Sequence, residues 1–287
     1  MTATQWLMVV LQGSIMLTVF GLGLTATFED ATYLFRRPGL LARAFLSMNI
    51  VMPVVALLIA ANFALPIEVK VALAALAVSP VPPILGKKQL SAGGRMNYVV
   101  GLLVAMSLLA IVVVPLAIAI SNHLFEREAA LAPSAVAKTM LTSVLLPLLA
   151  GMVVGKLIPV TRKASGVIVT VAGILLALAV LPLLIKLWPV VLPLLRNGTL
   201  LVMIGMAIVG LAVGHFLGGP RGADRTALAL STTSRHPAVA LAVATSGTAV
   251  DTQPALALIL LYVVVAAVVC IPYMKWRARA DAPAQAK

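Results

Sequence analysis

The sequence predicts an all-α polytopic membrane protein of about nine transmembrane helices, organised as inverted repeats with two broken helices that cross. Three observations carry that reading. Hydrophobic residues fill 62% of the 287 positions and charged residues only 10%, too little polar material to cover a water-facing surface. Apolar runs long enough to cross a hydrocarbon core recur along the whole chain. Two of those runs are interrupted by proline-containing polar segments, SPVPP at Ser79–Pro83 and STTSRHP at Ser231–Pro237, and paired interruptions of this kind point to a transporter binding site.

A crossing takes about 20 apolar residues at about 1.5 Å each. The opening MTATQWLMVV has neither the basic n-region nor the small-residue cleavage site of a signal peptide, so the first apolar run, 6–28, is expected to be the first transmembrane helix. The next runs are 40–62, then 67–91, which contains the first interruption, then 95–121 and 133–157. After these come 164–185, 198–217, 223–249 with the second interruption, and 254–274.

The loops between them alternate in basic content. Arg36 and Arg37, then Lys87, Lys88 and Arg95, then Lys156, Arg162 and Lys163, then Arg221 and Arg225, then Lys275, Arg277 and Arg279 fall on one side. The other side holds Lys70, Glu126, Arg127, Glu128, Lys186, Arg196 and Asp251, which is thinner and mixed in sign. The basic side is read as cytoplasmic. The expectation is a multi-pass protein of the cell (inner) membrane with its N-terminus outside, its C-terminus inside and residues 275–287 as a cytoplasmic tail. The formal charge of +13 is thereby a topology signal, with the lipid bilayer and no nucleic acid as partner. Trp6, Tyr33, Trp188, Tyr273 and Trp276 fall at span ends, as interfacial anchors do. The single cysteine, Cys270, excludes an intrachain disulfide and a cysteine-rich metal site, and its expected role is packing.

The interrupted runs are the third and the eighth, so they cross in opposite directions, and each has a full span immediately before and after it. An inverted repeat has this form. The first unit would cover 6–121 and the second 133–274, the second with one extra span at its start.

Proline removes a backbone N–H and clashes with the carbonyl four residues back. Pro80 therefore frees the carbonyl of Leu76, Pro83 that of Ser79 and Pro237 that of Thr233. Lipid cannot satisfy such groups, which places both breaks inside the protein and close together. Pro83 and Pro237 are also suited to begin the second half-helix of each broken span, each start aiming a partial positive charge inward. Arg235 sits among these elements, in the stretch 226–249, which holds no acidic residue. A bare cation at the bilayer centre costs about 2.5–3.5 kcal/mol on insertion scales, so it persists beside a cavity, a carbonyl cluster or an anion.

Two readings of Arg235 stand side by side. It binds an anionic ligand, or it locks two crossing helices by filling the freed carbonyls of the third span. His236 is either a proton carrier or a neutral hydrogen-bonding group. Ser231, Thr232, Thr233 and Ser234 either contact ligand or satisfy their own helix. The candidate substrate-binding set is Arg235, His236, Ser234, Thr233, Ser231 and Pro237 with Ser79, Pro80, Pro82 and Pro83. No residue is assigned to catalysis or to a metal. Gln12, Ser14, Asn49, Asn97 and Ser107 read as interhelical glue, and His215 and His123 as incidental.

With these nine spans and two breaks, the chain resembles the bile acid:sodium symporter family and its wider superfamily, which includes arsenite efflux permeases. GLGLTATFEDATYLFRRPGLLARAFLSMNIVMP at Gly21–Pro53 looks like the family's Asp and Arg-Pro segment leading into a helix that ends in Met-Pro. SPVPPILGKKQLSAGG at Ser79–Gly94 is similar to its proline-containing crossing segment and the glycine turn after it. The resemblance implies a panel domain at 6–28 and 133–185. It implies a core domain at 40–121 and 198–274, with broken helices 67–91 and 223–249, against which the panel moves.

The departures are specific. Where sodium-coupled members carry a Glu followed by Gln-Asn, this chain has Ser231, Arg235 and His236. Where they carry Ser-Asn in the first broken helix, it has Ile84 and Leu85. The superfamily's arsenite permeases place a cysteine in the first broken helix, and Cys270 lies elsewhere. The guanidinium of Arg235 is thus read as a tethered cation at the place where relatives hold sodium.

The function expected is a secondary transporter of a small organic anion, working by alternating access without cofactor, with sodium or a proton as the coupling ion if there is one. The alternatives are a sodium-coupled bile acid-type symporter with atypical ion sites and, in a different class, an intramembrane lipid-phosphate enzyme. A channel would differ from all of these in giving conductance without saturation.

Overall fold

In a computed structural model, the structure describes residues 3–125, 131–195, 198–246 and 251–281. The expected outer-loop charges Glu126, Arg127, Glu128 and Arg196, and the tail beyond 281, lie outside the described residues. Every regular element among the described residues is helical.

Helix α1 spans Ala3–Gly23 and the short α2 spans Phe28–Thr32. The expected first run of 6–28 therefore divides. Thr27 accepts from the backbone N–H of Asp30 while the Asp30 carboxylate accepts from that of Thr27, a capping box that starts a new helix. Helix α3, Pro38–Asn62, begins on a proline and widens into a π turn at Leu46–Val51, just before Pro53. Helices α4, Ile67–Val78, and α5, Pro83–Ser91, are the two halves of the first broken span and bend by 68°. Helix α6 is Met96–Phe125 and α7 is Pro133–Leu157, the latter with a second π turn, Leu141–Leu145, before Pro147. Proline denies a hydrogen bond to the preceding turn, and in both helices that turn is the one that widens.

Helix α8 runs Ser165–Leu194 and passes through Pro182, Pro189 and Pro193. The loop expected after residue 185 is helix instead, and Lys186 and Trp188 are part of it. Its prolines recur at spacings of seven and four, which puts them on one face, and the remaining backbone stays internally bonded, as lipid requires. Helices α9, Thr199–Leu217, α10, Gly222–Thr233, α11, Pro237–Ala244, and α12, Thr252–Asp281, complete the chain. Six of these helices are long and apolar enough to cross a membrane, and the bent α4–α5 pair makes a seventh. The nine crossings expected from the sequence also need α1 and the α10–α11 pair.

Backbone proximity holds the bundle together where side chains vanish. A Cβ on Gly23 would lie 2.4 Å from the Leu148 carbonyl oxygen, one on Gly151 2.3 Å from that of Phe20, and one on Gly155 2.1 Å from that of Leu24. Helices α1 and α7 thus cross in direct backbone contact. Gly210 and Gly214 on α9, with Gly218 just past its end, do the same against Thr233, Ala229 and Arg225 on α10, a small-residue seam at spacing four. This seam fixes α10, and hence the second break at its end. Helix α12 is the innermost long helix, with 56% of its most apolar window buried, against 22% for α8.

Candidate functional site

Both breaks follow from the proline chemistry of the sequence. After Val78 the chain turns extended at Ser79 (φ −74°, ψ 148°), and after Thr233 it does so at Ser234 (φ −91°, ψ 143°). Pro83 and Pro237 head the helical segments that resume. The two breaks meet: the backbone N–H of His236 donates to the Pro80 carbonyl at 3.0 Å.

Each carbonyl freed by a proline has found a donor. Leu76 accepts from the Ser79 N–H at 3.2 Å and from the Ser79 hydroxyl at 2.9 Å. Ser79 accepts from Nη1 of Arg235 at 3.0 Å. Thr233 accepts from the Tyr262 hydroxyl of α12 at 2.9 Å. Nη1 of Arg235 also reaches the Met48 carbonyl, in the π turn of α3, at 3.3 Å. The side chain therefore ties three elements, α3 and both breaks, at one point.

Arg235 is nevertheless only half satisfied. It is 1% exposed, and its Nε and Nη2 have no hydrogen-bond partner among the described residues. Leaving a buried donor unpaired costs about 1–3 kcal/mol, and more for a charged group. His236 is fully buried with both ring nitrogens likewise unpartnered. The lock is real, but it uses one of the three guanidinium nitrogens.

Of the hydroxyl run, Ser231, Thr232 and Thr233 are engaged by protein. Ser231 accepts from Gln89 Nε2 at 2.6 Å, and Gln89 also donates to the Ala227 carbonyl at 2.8 Å. Thr232 shares a 2.7 Å hydrogen bond with Ser47 of α3. Thr233 donates to the Ala229 carbonyl of its own helix at 2.9 Å. Ser234 differs. It lines, with Arg235 and Pro82, a cavity of about 50 Å³ walled by Leu85 and Lys88 on α5 and by Ala267 and Cys270 on α12. Of the other sequence-selected residues, Pro80 supplies the carbonyl to His236, Pro82 joins the cavity wall, and Pro83 is buried at the start of α5.

At the end of the bundle that carries Arg95 and Arg221 a second polar cluster forms. Asp224, 1% exposed in the first turn of α10, takes a two-pronged contact from Arg95 at 3.0–3.1 Å. Arg95 also donates to the Tyr33 hydroxyl, and Arg37 stacks 4.0 Å over the Tyr33 ring. Burial acts to lower the Arg95 pKa, but the hydrogen bond to Tyr33 and the Asp224 carboxylate hold it above its ordinary value. Tyr33 is 6% exposed beneath these arginines, so it anchors α2 inside the protein and not at a lipid interface. His215, which read as incidental, shares a 2.8 Å hydrogen bond with Tyr273 inside an aromatic group that includes Trp276.

Sequence reasoning missed Met48, Gln89, Ser47, Tyr262 and the Arg95–Asp224 pair. Tyr262 had a usable signal: it is the one hydroxyl-bearing side chain in the interior of the last apolar run, and a buried tyrosine hydroxyl seeks a partner. A backbone acceptor such as Met48 O has no sequence signature, since every residue offers a carbonyl.

A comparison with protein families matches residues 14–203 to the sequence model of the Sodium Bile acid symporter family. The match takes in the first break and ends before the second. No curated protein matches the chain.

Proposed function

This chain belongs to the sodium bile acid symporter family, a family of membrane transporters, and from that premise we propose that it carries a small organic anion by alternating access without requiring sodium. A multi-pass membrane protein of this family works in a lipid bilayer on a small-molecule substrate. The finer reading rests on one observation, the half-satisfied guanidinium of Arg235. One nitrogen occupies the Ser79 carbonyl at the first break and the Met48 carbonyl in the π turn of α3, as a bound cation would, and the other two, with no partner among the described residues, are the donors proposed for a negative group.

Nine crossings in two inverted units are the architecture proposed. The packing of α1 on α7 supports a panel at 6–28 and 133–185, and the packing of α4, α10 and α12 around the breaks supports a core at 40–121 and 198–274. The distribution of basic loops supports an outside N-terminus and a cytoplasmic C-terminus in the cell (inner) membrane. The substrate-binding set proposed is Arg235 and Ser234 at the cavity, with His236, Thr233, Ser231, Pro237, Ser79, Pro80, Pro82 and Pro83 building the crossing that holds them.

Uptake of labelled organic anions into proteoliposomes tests this, run with a sodium gradient, with a proton gradient and with neither. Saturable uptake that is indifferent to sodium is the expected result. A strict sodium requirement would support instead a sodium-coupled symporter with atypical ion sites. Hydrolysis of a lipid phosphate without uptake would support the enzyme.

A further inference from the structure

The segment between α1 and α3 holds a second cavity, of about 270 Å³, lined by Glu29, Asp30, Tyr33, Arg36 and Arg37, with Asn97 of α6 completing it. Two acids and two arginines balance the formal charge of its lining, yet these opposite charges do not pair with one another. Glu29 is exposed, and its carboxylate makes no hydrogen bond or ion pair among the described residues. Asp30 commits one oxygen, Oδ2, to the capping box with Thr27. Arg37 is exposed and rests 4.0 Å over the Tyr33 ring, a contact that leaves its N–H groups unused. Arg36, also exposed, uses only Nη2, on the Glu29 carbonyl at 2.9 Å and the Thr32 hydroxyl at 2.8 Å. Tyr33 is itself held by Arg95, which is paired with Asp224, so Arg37 lies on a braced ring. Phe28 and Phe35, the residues immediately before Glu29 and Arg36, are 65% and 44% exposed. The segment joins the end of one apolar run to the start of the next, which sets it at the membrane–water boundary, where exposed aromatic side chains enter the acyl region.

We propose that this cavity is a binding site for one zwitterionic phospholipid bearing a primary ammonium, of the phosphatidylethanolamine type. Its phosphate sits on the Arg36 and Arg37 guanidinium groups, its ammonium on the Glu29 carboxylate, and its acyl chains beside Phe28 and Phe35. The site is separate from the broken helices and independent of the transported solute. Guanidinium groups match phosphate oxygens in pairs. A primary ammonium brings three donors to a carboxylate, whereas the quaternary ammonium of a choline headgroup brings none. A headgroup with a phosphate and no cation would satisfy the arginines but leave Glu29 beside a second negative charge. At about 10–15 Å³ for each water-sized occupant, a cavity of about 270 Å³ takes about 18–27 non-hydrogen atoms, room for the roughly eight of a phosphoethanolamine group with part of the glycerol and water.

The experiment is native mass spectrometry of the purified, delipidated full-length protein offered phosphatidylethanolamine, phosphatidylcholine and phosphatidylglycerol with identical acyl chains in equal amounts. The first lipid retained is expected to be phosphatidylethanolamine, by about tenfold or more over either competitor, the scale of one charge-assisted hydrogen bond. Glu29→Gln gives the lining a net positive charge and should reverse the order in favour of phosphatidylglycerol. A purely structural effect of that substitution would weaken all three lipids alike. The double variant Arg36→Gln, Arg37→Gln should lose the preferred first lipid altogether. Soluble glycerophosphoethanolamine, which carries the headgroup without acyl chains, should not displace the lipid at equal concentration. Equal retention of the three lipids, a preference for phosphatidylglycerol in the unaltered protein, an unchanged order in Glu29→Gln, or displacement by the soluble headgroup would overturn the proposal. If Glu29→Gln does not fold, the order of the three lipids in the unaltered protein still decides.

Discussion

Replacing Tyr262 by phenylalanine removes a single oxygen from a side chain with no exposure, without changing the shape of the ring around it. That oxygen carries the proton donated at 2.9 Å to the Thr233 carbonyl, the group that Pro237 deprives of its helical partner. The carbonyl is then left buried beside Arg235 with no donor, a loss of about 1–3 kcal/mol. At about 2–4 °C per kcal/mol for a chain of this order of size, the midpoint of thermal unfolding in detergent should fall by about 2–12 °C. Tyr98→Phe is the matched control. Tyr98 is equally buried, but its hydroxyl has no partner among the described residues, so deleting it should leave the midpoint unchanged or raise it. Equal midpoints for Tyr262→Phe and the unaltered protein, or a loss of the same size in Tyr98→Phe, would refute the assignment of Tyr262 as the donor that makes the second break tolerable.

The glycine seams give a second contrast. Gly155→Ala forces a Cβ to within 2.1 Å of the Leu24 carbonyl oxygen and should destabilise by about 1–3 kcal/mol, whereas Gly173→Ala, with open space around it, should be neutral or stabilising by up to about 1 kcal/mol; denaturant-dependent unfolding in mixed micelles reads both. The Arg95–Asp224 pair should respond asymmetrically. Arg95→Met leaves Asp224 unpaired at 1% exposure, while Asp224→Asn leaves an arginine that is 33% exposed and free to hydrate. Breaking a buried pair costs about 3–5 kcal/mol when the charge left behind is buried, so Arg95→Met should be the more damaging by thermal midpoint, and the reverse order would contradict the burial reading.

The breaks were legible in the sequence because proline acts on its own backbone. Pro80, Pro83 and Pro237 identify which carbonyls lose their donors before any partner is known. The identity of the new donors was not, because Ser79, Tyr262 and Arg235 reach them by proximity that only the folded bundle creates. Asp224 stands at the edge of the eighth apolar run with nothing nearby in the sequence to mark its partner, Arg95, which lies 129 positions away. Helix α8 runs past its expected end at 185, where Lys186 reads as a loop charge, because a lipid-facing backbone keeps its internal hydrogen bonds even where proline removes one. The site's central residue was found from charge alone: a cation in an apolar run demands an explanation. Its division of labour, one nitrogen for carbonyls and two left over, required coordinates.

That division is the claim on which the functional account turns, and counterflow of a labelled organic anion in proteoliposomes, compared between the unaltered protein, Arg235→Lys and Arg235→Gln, tests it most directly. With sodium absent throughout, saturable exchange is expected in the unaltered protein. The glutamine variant should lose it by about a hundredfold or more, as the loss of two charge-assisted hydrogen bonds implies, and lysine, with its charge but no paired edge, should restore only part of it. Undiminished saturable exchange in Arg235→Gln would contradict the account.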